Sequence, residues 1–426
     1  MLMLGIFIAM VAMICLNVPI GVALAVSAIG GLLVLEGTGS LVNVALDMYG
    51  GATKFSLIAI PMFVLAGAIM NAGGITDRLI NFVSALIGFV RGGLAHVNIG
   101  VSLFFAEISG SAVADVAAMG SVMIPQMKKR GYSGALSAAV TSSSASLAII
   151  IPPSIPMILY ATSANVSVEQ LFVAGVVPGI LGAAGLMGVA YYFAHKYDLP
   201  REEAFSGRRL WVAFVDALPT FALPVIILGG IFGGYVTATE AAGLAVLAAI
   251  VISFWYRQVD LKHLQRSMLD GGMQTAVVML LVAASVVMGG FLTRAQYPQE
   301  LAAGILSITE NKWLILLILN FFFLIIGFFL HSAAAIILVV PIVIPLIDAV
   351  GINPIHFGLV VTLNLAIGQQ TPPVASVLIT ACAVARANIW DVTKVNVYFI
   401  AVLLTVLLMC TYIPAIPLFL VDYFYN

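Results

Sequence analysis

The chain has 426 residues, of which 62% are hydrophobic and 8% charged, with a formal net charge of -1. A mean hydropathy of +1.16 excludes a soluble domain. The net charge says nothing of a nucleic-acid partner, and the chain has no basic patch large enough for one. The reading is therefore an all-α polytopic membrane protein with stretches near the ~20 apolar residues needed to span.

The chain opens with an apolar helix, Leu2 to Leu16, interrupted at Asn17-Val18-Pro19. With no basic leader and no small-residue cleavage pattern, this helix reads as retained. A second helix runs from Ile20 to Leu35. Leu41 to Lys54 is mildly amphipathic and reads as an interfacial arm. Phe55 to Gly73 spans, with a kink expected at Pro61. Thr76 to Val90 reads as a second arm, carrying Asp77 and Arg78.

Gly92 to Met127 is too long for one span and carries small polar residues at its centre, Ser109-Gly110-Ser111. That pattern predicts a re-entrant hairpin. Gly134 to Thr162 contains Thr141-Ser142-Ser143-Ser144, then Pro152-Pro153. Two prolines without N–H donors must break the helix near Ala148 to Pro152. At membrane depth a break is tolerated only where the backbone is buried in protein or lines a cavity. A span from Val168 to His195 completes the first repeat, residues 1–195, and residues 196–209 form a polar linker.

Residues 210–426 replay the pattern: spans at Trp211–Tyr235, Thr239–Tyr256 and Ser267–Thr293, an arm at Pro298–Asn311, a hairpin at Lys312–Ile347, a broken helix at Ile355–Ala385 and a last span at Val395–Val421. Pro372-Pro373 lies 220 residues beyond Pro152-Pro153. Pro125 and Pro345, and Gly131 and Gly351, keep the same offset. Matched prolines and glycines in register indicate an internal duplication.

Charge sets the topology. With the Lys128-Lys129-Arg130 loop in the cytoplasm, 14 basic residues fall inside and 3 (Lys54, Arg294, Lys312) outside. The matching loop of the second half, Asp348 to Asn353, has no basic residue. The repeats are thus expected to be inverted, with both termini periplasmic.

Inverted repeats with hairpins and broken helices predict an ion and substrate site near the midplane. Hydroxyls and unwound carbonyls suit sodium. The candidates are Ser109, Gly110, Ser111, Ser144, Ser146 and Ile149 in the first repeat, and Gly327, Ser332, Gly368 and Thr371 in the second. The bland alternative for each hydroxyl is helix–helix adhesion. Asp115, Ser143, His331, Asn364 and Gln369 are candidates for substrate contact, with Gln370 beside them. Glu107 reads as hairpin-locking. Glu240 with Thr237 reads as a helix cap. Cys15, Cys382 and Cys410 have no metal spacing and read as packing residues. No Walker, HExxH or GxSxG pattern points to an enzyme, and no cofactor is expected beyond sodium as the coupling ion.

The segments EISGSAVADVAAMGSVMIPQMKKRGY, TSSSASLAIIIPPSIPMILYA and FGLVVTLNLAIGQQTPP closely resemble the large membrane subunit of tripartite ATP-independent periplasmic (TRAP) transporters, over essentially the whole chain. The resemblance implies sodium-driven import of an organic acid by an elevator motion. In such a motion the hairpins and broken helices move against a scaffold. It also implies two partners: a small four-helix membrane subunit and a periplasmic substrate-binding protein. Many family members carry Met-Asp where this chain has Leu330-His331. That departure fits a larger or differently charged acid, such as a sialic acid, better than a C4-dicarboxylate. The competing readings are a self-sufficient sodium/divalent-anion symporter of related fold, and a non-transporting scaffold or channel.

Overall fold

The computed structural model describes residues 2–16, 18–202, 204–259 and 261–425, without the side chains of residues 2–4, 15, 107–109, 261 and 263. Among the described residues the chain is helical throughout, and the only bridge between extended segments pairs Arg91 with Arg201. Among the described residues eight helices are long and apolar enough to cross a membrane, and several shorter apolar helices accompany them.

The element bounds repeat within a few residues of the offset between the prolines. The first hairpin is Gly93–Ser109 and Ala112–Lys129; the second is Lys312–Phe329 and Ser332–Ala349. The first broken helix is Gly134–Ala145, a 3-10 turn at Ser146–Ile149, then Ile155–Ala164. The second is Pro354–Gly368 and Ser376–Ala385. Even the caps repeat. Ser133 accepts from the N–H of Leu136 at 3.1 Å, and Asn353 accepts from those of Ile355 and His356 at 2.8 and 3.2 Å. Each cap satisfies helix-end donors that would otherwise be buried unpaired.

Each half also exchanges contacts with the other. The return arm of the first hairpin packs on Ser376–Ala385, and the return arm of the second packs on Ile155–Ala164. Such reciprocal exchange is what an approximate two-fold relation between halves produces. Tyr160, after the first break, ties that segment to the start of the second broken helix, donating its hydroxyl to the carbonyl of Pro354 at 2.7 Å.

The remaining helices pack around this centre. Leu261–Arg294 lies against Ile20–Glu36, Ser40–Ala52 and Ala59–Ala72, and Ala238–Trp255 lies against Ala59–Ala72. Arg294 joins three of them, through Glu36 at 3.2 Å and Asp47 at 3.4 Å. Pro61, where a kink is expected, lies close to a change of helix type. A 3-10 turn at Phe55–Ile58 precedes the helix, so Pro61 falls in the first turn of Ala59–Ala72. There its missing N–H removes no internal hydrogen bond. The Thr237–Glu240 cap forms as a reciprocal box, with Glu240 accepting from the N–H of Thr237 at 2.8 Å. Cys382 and Cys410 are free thiols buried in the apolar packing.

At the foot of the first hairpin the polar linker lies along the preceding turn. The N–H of Gly92 donates to the carbonyl of Pro200 at 3.1 Å, Arg91 pairs with Asp198, and Arg130 pairs with Glu202 at 3.1 Å. Burial, with the Glu202 charge nearby, holds the Tyr132 hydroxyl well above its ordinary pKa, so it stays protonated.

Candidate functional site

The two Pro-Pro breaks meet in the core of the molecule. Ser154 restarts the first helix: its hydroxyl donates to the carbonyl of Ile149 at 2.8 Å and caps the N–H of Met157. Ile149 therefore keeps part of its carbonyl capacity for another partner. In the second break, Gln370 crosses to the first. Its amide nitrogen donates to Ser146 at 2.6 Å, and its amide oxygen lies 2.8 Å from the hydroxyl of Ser143. That same hydroxyl lies 2.7 Å from Oδ1 of Asn396, on the helix Ile389–Tyr412. Asn396 in turn donates its amide nitrogen to the side-chain oxygen and to the backbone carbonyl of Gln370, each at 3.4 Å, so the three side chains form one connected network.

Each repeat then ties its hairpin to its broken helix through an asparagine. In the first, Asn98 donates to Thr141 at 2.7 Å, and its oxygen lies 3.2 Å from the hydroxyl of Ser144, which also accepts from Ser102 at 3.0 Å. In the second, Asn364 stands 220 residues beyond Ser144. Its amide nitrogen donates to Asn320 at 2.7 Å and to the carbonyl of Val360 at 2.8 Å. Asn320 in turn donates to Thr411 at 3.0 Å. Those two donations fix the orientation of the Asn364 amide. Its oxygen is buried and has no partner. A buried amide oxygen of fixed orientation and no donor is a ready ligand for a cation.

The layer is closed: Ser144, Ser146, Asn364 and Gln370 are fully buried, and Ser143 is 1% exposed. Gly327 and Gly368 belong to it, since the second hairpin and the second broken helix approach there backbone to backbone. Thr371 bonds back to the carbonyl of Ile367 at 3.0 Å. Gln369 turns toward its own break, donating to the carbonyl of Leu365 and accepting from Ser376, each at 3.4 Å; it does not join Ser143.

The hairpin tips differ from one another. Gly110 takes the left-handed conformation, φ +58, and faces the first break, where an added Cβ would come within 3.1 Å of the Ile155 nitrogen. Ser111 occupies the N-cap position of the return arm without a side-chain cap hydrogen bond, and Asp115 is fully buried in its first turn, where a carboxylate meets the positive end of the helix dipole. The side chains of Glu107 and Ser109 lie outside the described residues. At the second tip His331 is exposed and caps the return arm without a side-chain hydrogen bond, while Ser332 is buried. Sequence reasoning passed over Asn98, Asn320, Asn396 and Thr411. The available signal was a lone polar side chain on an otherwise apolar helix.

Hairpins, broken helices and a closed polar layer between the two halves define a membrane transporter rather than an enzyme. The family model for the DctM component of the tripartite ATP-independent periplasmic transporter matches residues 7–416, and the chain belongs to that family. It is 37% identical over 380 residues to the C4-dicarboxylate TRAP transporter large permease protein DctM of Pseudomonas aeruginosa, covering 89% of each chain. It is 35% identical over 410 residues to the sialic acid TRAP transporter large permease protein SiaM of Vibrio cholerae, covering 96% of each. Among solved structures, the Alcanivorax borkumensis YdaH transporter, described as having an unusual topology, aligns with a TM-score of 0.65 over 89% of each chain at 15% identity. That likeness concerns the fold alone. As a large permease the chain is a multi-pass inner-membrane protein in secondary transport of organic acids, and its family implies a small membrane subunit and a periplasmic binding protein.

Proposed function

We propose that the chain imports an organic acid delivered by a periplasmic binding protein, using a sodium gradient, with the hairpins and broken helices moving as one body against the scaffold. The observation that carries this reading is the partnerless, fully buried oxygen of Asn364. A small monovalent cation satisfies such an oxygen without a buried acid, whereas a closed layer has no room for an organic acid. Ser143 and Asn364, first read as substrate contacts, fit ion binding better. His331, exposed at the second tip, remains the better substrate contact.

The transport body comprises residues 92–195 with 312–426, and the small partner subunit is a four-helix protein attached to the scaffold. Both termini are periplasmic. The substrate is of the C4-dicarboxylate or sialic acid type. Relatives bearing those two names are about equally similar to this chain, so identity does not choose between them.

The test is uptake into proteoliposomes containing this chain and its small subunit. Binding protein preloaded with radiolabelled sialic acid or succinate is supplied with and without an inward sodium gradient. Uptake that requires both sodium and binding protein supports the tripartite reading and selects the acid. Sodium-dependent uptake of free acid alone moves the chain to the self-sufficient symporter class. Uptake indifferent to sodium sinks the coupling.

A further inference from the structure

Away from the polar layer, a cavity of about 180 Å³ lies between parts of the molecule that the proposed motion would separate. Lys54, which follows the arm Ser40–Ala52, forms one wall. Ser285 and Gly289 on Leu261–Arg294 form another. Thr162 and Ser163 at the end of the first broken helix, and Pro341 in the second hairpin, close it. Among the described residues lining it, Lys54 is the only ionisable one.

Lys54 donates to the carbonyl of Thr162 at 3.2 Å. An ammonium has three donors, so two remain for a ligand. The nearest acid of the arm is engaged elsewhere, since Asp47 pairs with Arg294 at 3.4 Å. The hydroxyls of Thr162 and Ser285 bond back into their own helices, at 2.8 and 2.6 Å. They reduce the wall's donors and leave the lysine as its dominant charge. Lys54 is itself exposed to solvent, and a fixed cation lining the cleft repels sodium and attracts an anion. The space exceeds the roughly 30 Å³ share of one water several-fold, which accommodates a carboxylate head and its first carbons.

We propose that this cavity is an entry site for the carboxylate of the transported acid, held by Lys54. The proposal rests on the organic-acid reading above and adds a site on the periplasmic side. It has a mechanical consequence. Lys54 belongs to the scaffold and Thr162 to the moving body, so a carboxylate that takes Lys54 from the Thr162 carbonyl also removes a tie between the two. Arrival of substrate and release of the moving body are then one event.

The test is chemical protection of Lys54 in the purified complex with the small subunit. A water-soluble amine-acetylating ester is applied alone, with succinate, with N-acetylneuraminate, or with glycerol as a neutral control, and each lysine is quantified by mass spectrometry. The expected result is slower modification of Lys54 by at least one acid and not by glycerol, with Lys129 unchanged. Equal rates under all four conditions overturn the entry site, whatever the transport assay gives. In liposomes, Lys54→Gln should raise the KM for loaded binding protein by about tenfold, the usual scale for losing a hydrogen bond to a charged group. Lys54→Arg should restore it, and half-saturating sodium should not move. Wild-type KM in Lys54→Gln overturns the entry site and leaves sodium coupling standing. Wild-type uptake without sodium dependence removes the coupling, while Lys54 protection still reads the site.

Discussion

Gly327 and Gly368 meet backbone to backbone. A Cβ added to Gly368 would stand 2.6 Å from the Cα of Gly327, and one added to Gly327 would stand 3.0 Å from the Cα of Gly368. The obstacle is main chain in both cases, so no side-chain rotation relieves it. Gly368→Ala should therefore cost about 1–3 kcal/mol, the scale of overpacking in a closed core. Gly188→Ala is the internal control: nothing stands within 4 Å of its added Cβ, and it lies within a helix. That change should be neutral or stabilising by up to about 1 kcal/mol. Melting midpoints of the two variants in one detergent decide the matter, and equal midpoints would mean the glycine contact is not tight.

Gly110 combines two demands, a left-handed φ of +58 and a close approach to the backbone of Pro153 and Ile155. An alanine there meets the left-handed penalty of about 1–2 kcal/mol and must also push the tip off the first break. The expected outcome of Gly110→Ala is a protein that reaches the membrane, melts lower and loses most uptake. Full uptake in this variant would show that the contact between tip and break is dispensable.

Asn320 and Asn364 separate packing from ion binding. Replacing Asn320 with Ala strips Asn364 of one acceptor, leaves a buried amide donor with only the Val360 carbonyl, and should cost about 1–3 kcal/mol. Replacing Asn364 removes the partnerless oxygen itself. If that oxygen serves sodium, Asn364→Ala raises half-saturating sodium well beyond its effect on the KM for the acid. A proportional rise in both constants would instead assign Asn364 to packing.

Much of this architecture was legible in the chain because backbone chemistry wrote it there. Pro152-Pro153 and Pro372-Pro373 cannot continue a helix, and Gly131 and Gly351, with φ of +88 and +68, occupy a conformation that other residues avoid. These residues fix element ends, and element ends fixed the repeat. The ends of Glu107-Ile108-Ser109 and of Leu330-His331 carry no such constraint in common, and there the halves diverge. The site was less legible. Asn98, Asn320 and Asn396 each sit alone on an apolar helix, and their partners lie 43, 91 and 26 residues away at Thr141, Thr411 and Gln370. Spacing along one helix cannot reveal a partner that only the packing of the halves supplies. A proline such as Pro61 reads alike as a kink or as a first-turn residue until the helix start is known.

The inversion of the repeats is open to direct measurement at two matched positions. Lys129 and Ala349 end the return arms of the two hairpins and are 220 residues apart. Both are exposed. The first return arm ends in the basic run Lys128–Arg130, whose Lys128 donates to the carbonyl of Ala385 at 3.1 Å, and the second in Asp348–Asn353, which has no base. Basic loops stay in the cytoplasm, so the two ends should face opposite compartments. In a background with Cys15, Cys382 and Cys410 replaced by Ser or Ala, Lys129→Cys should resist a membrane-impermeant maleimide until cells are permeabilised. Ala349→Cys should react in intact spheroplasts. Labelling of both from one side would make the halves parallel, and the pairing of each return arm with the opposite broken helix would then need an axis along the membrane normal.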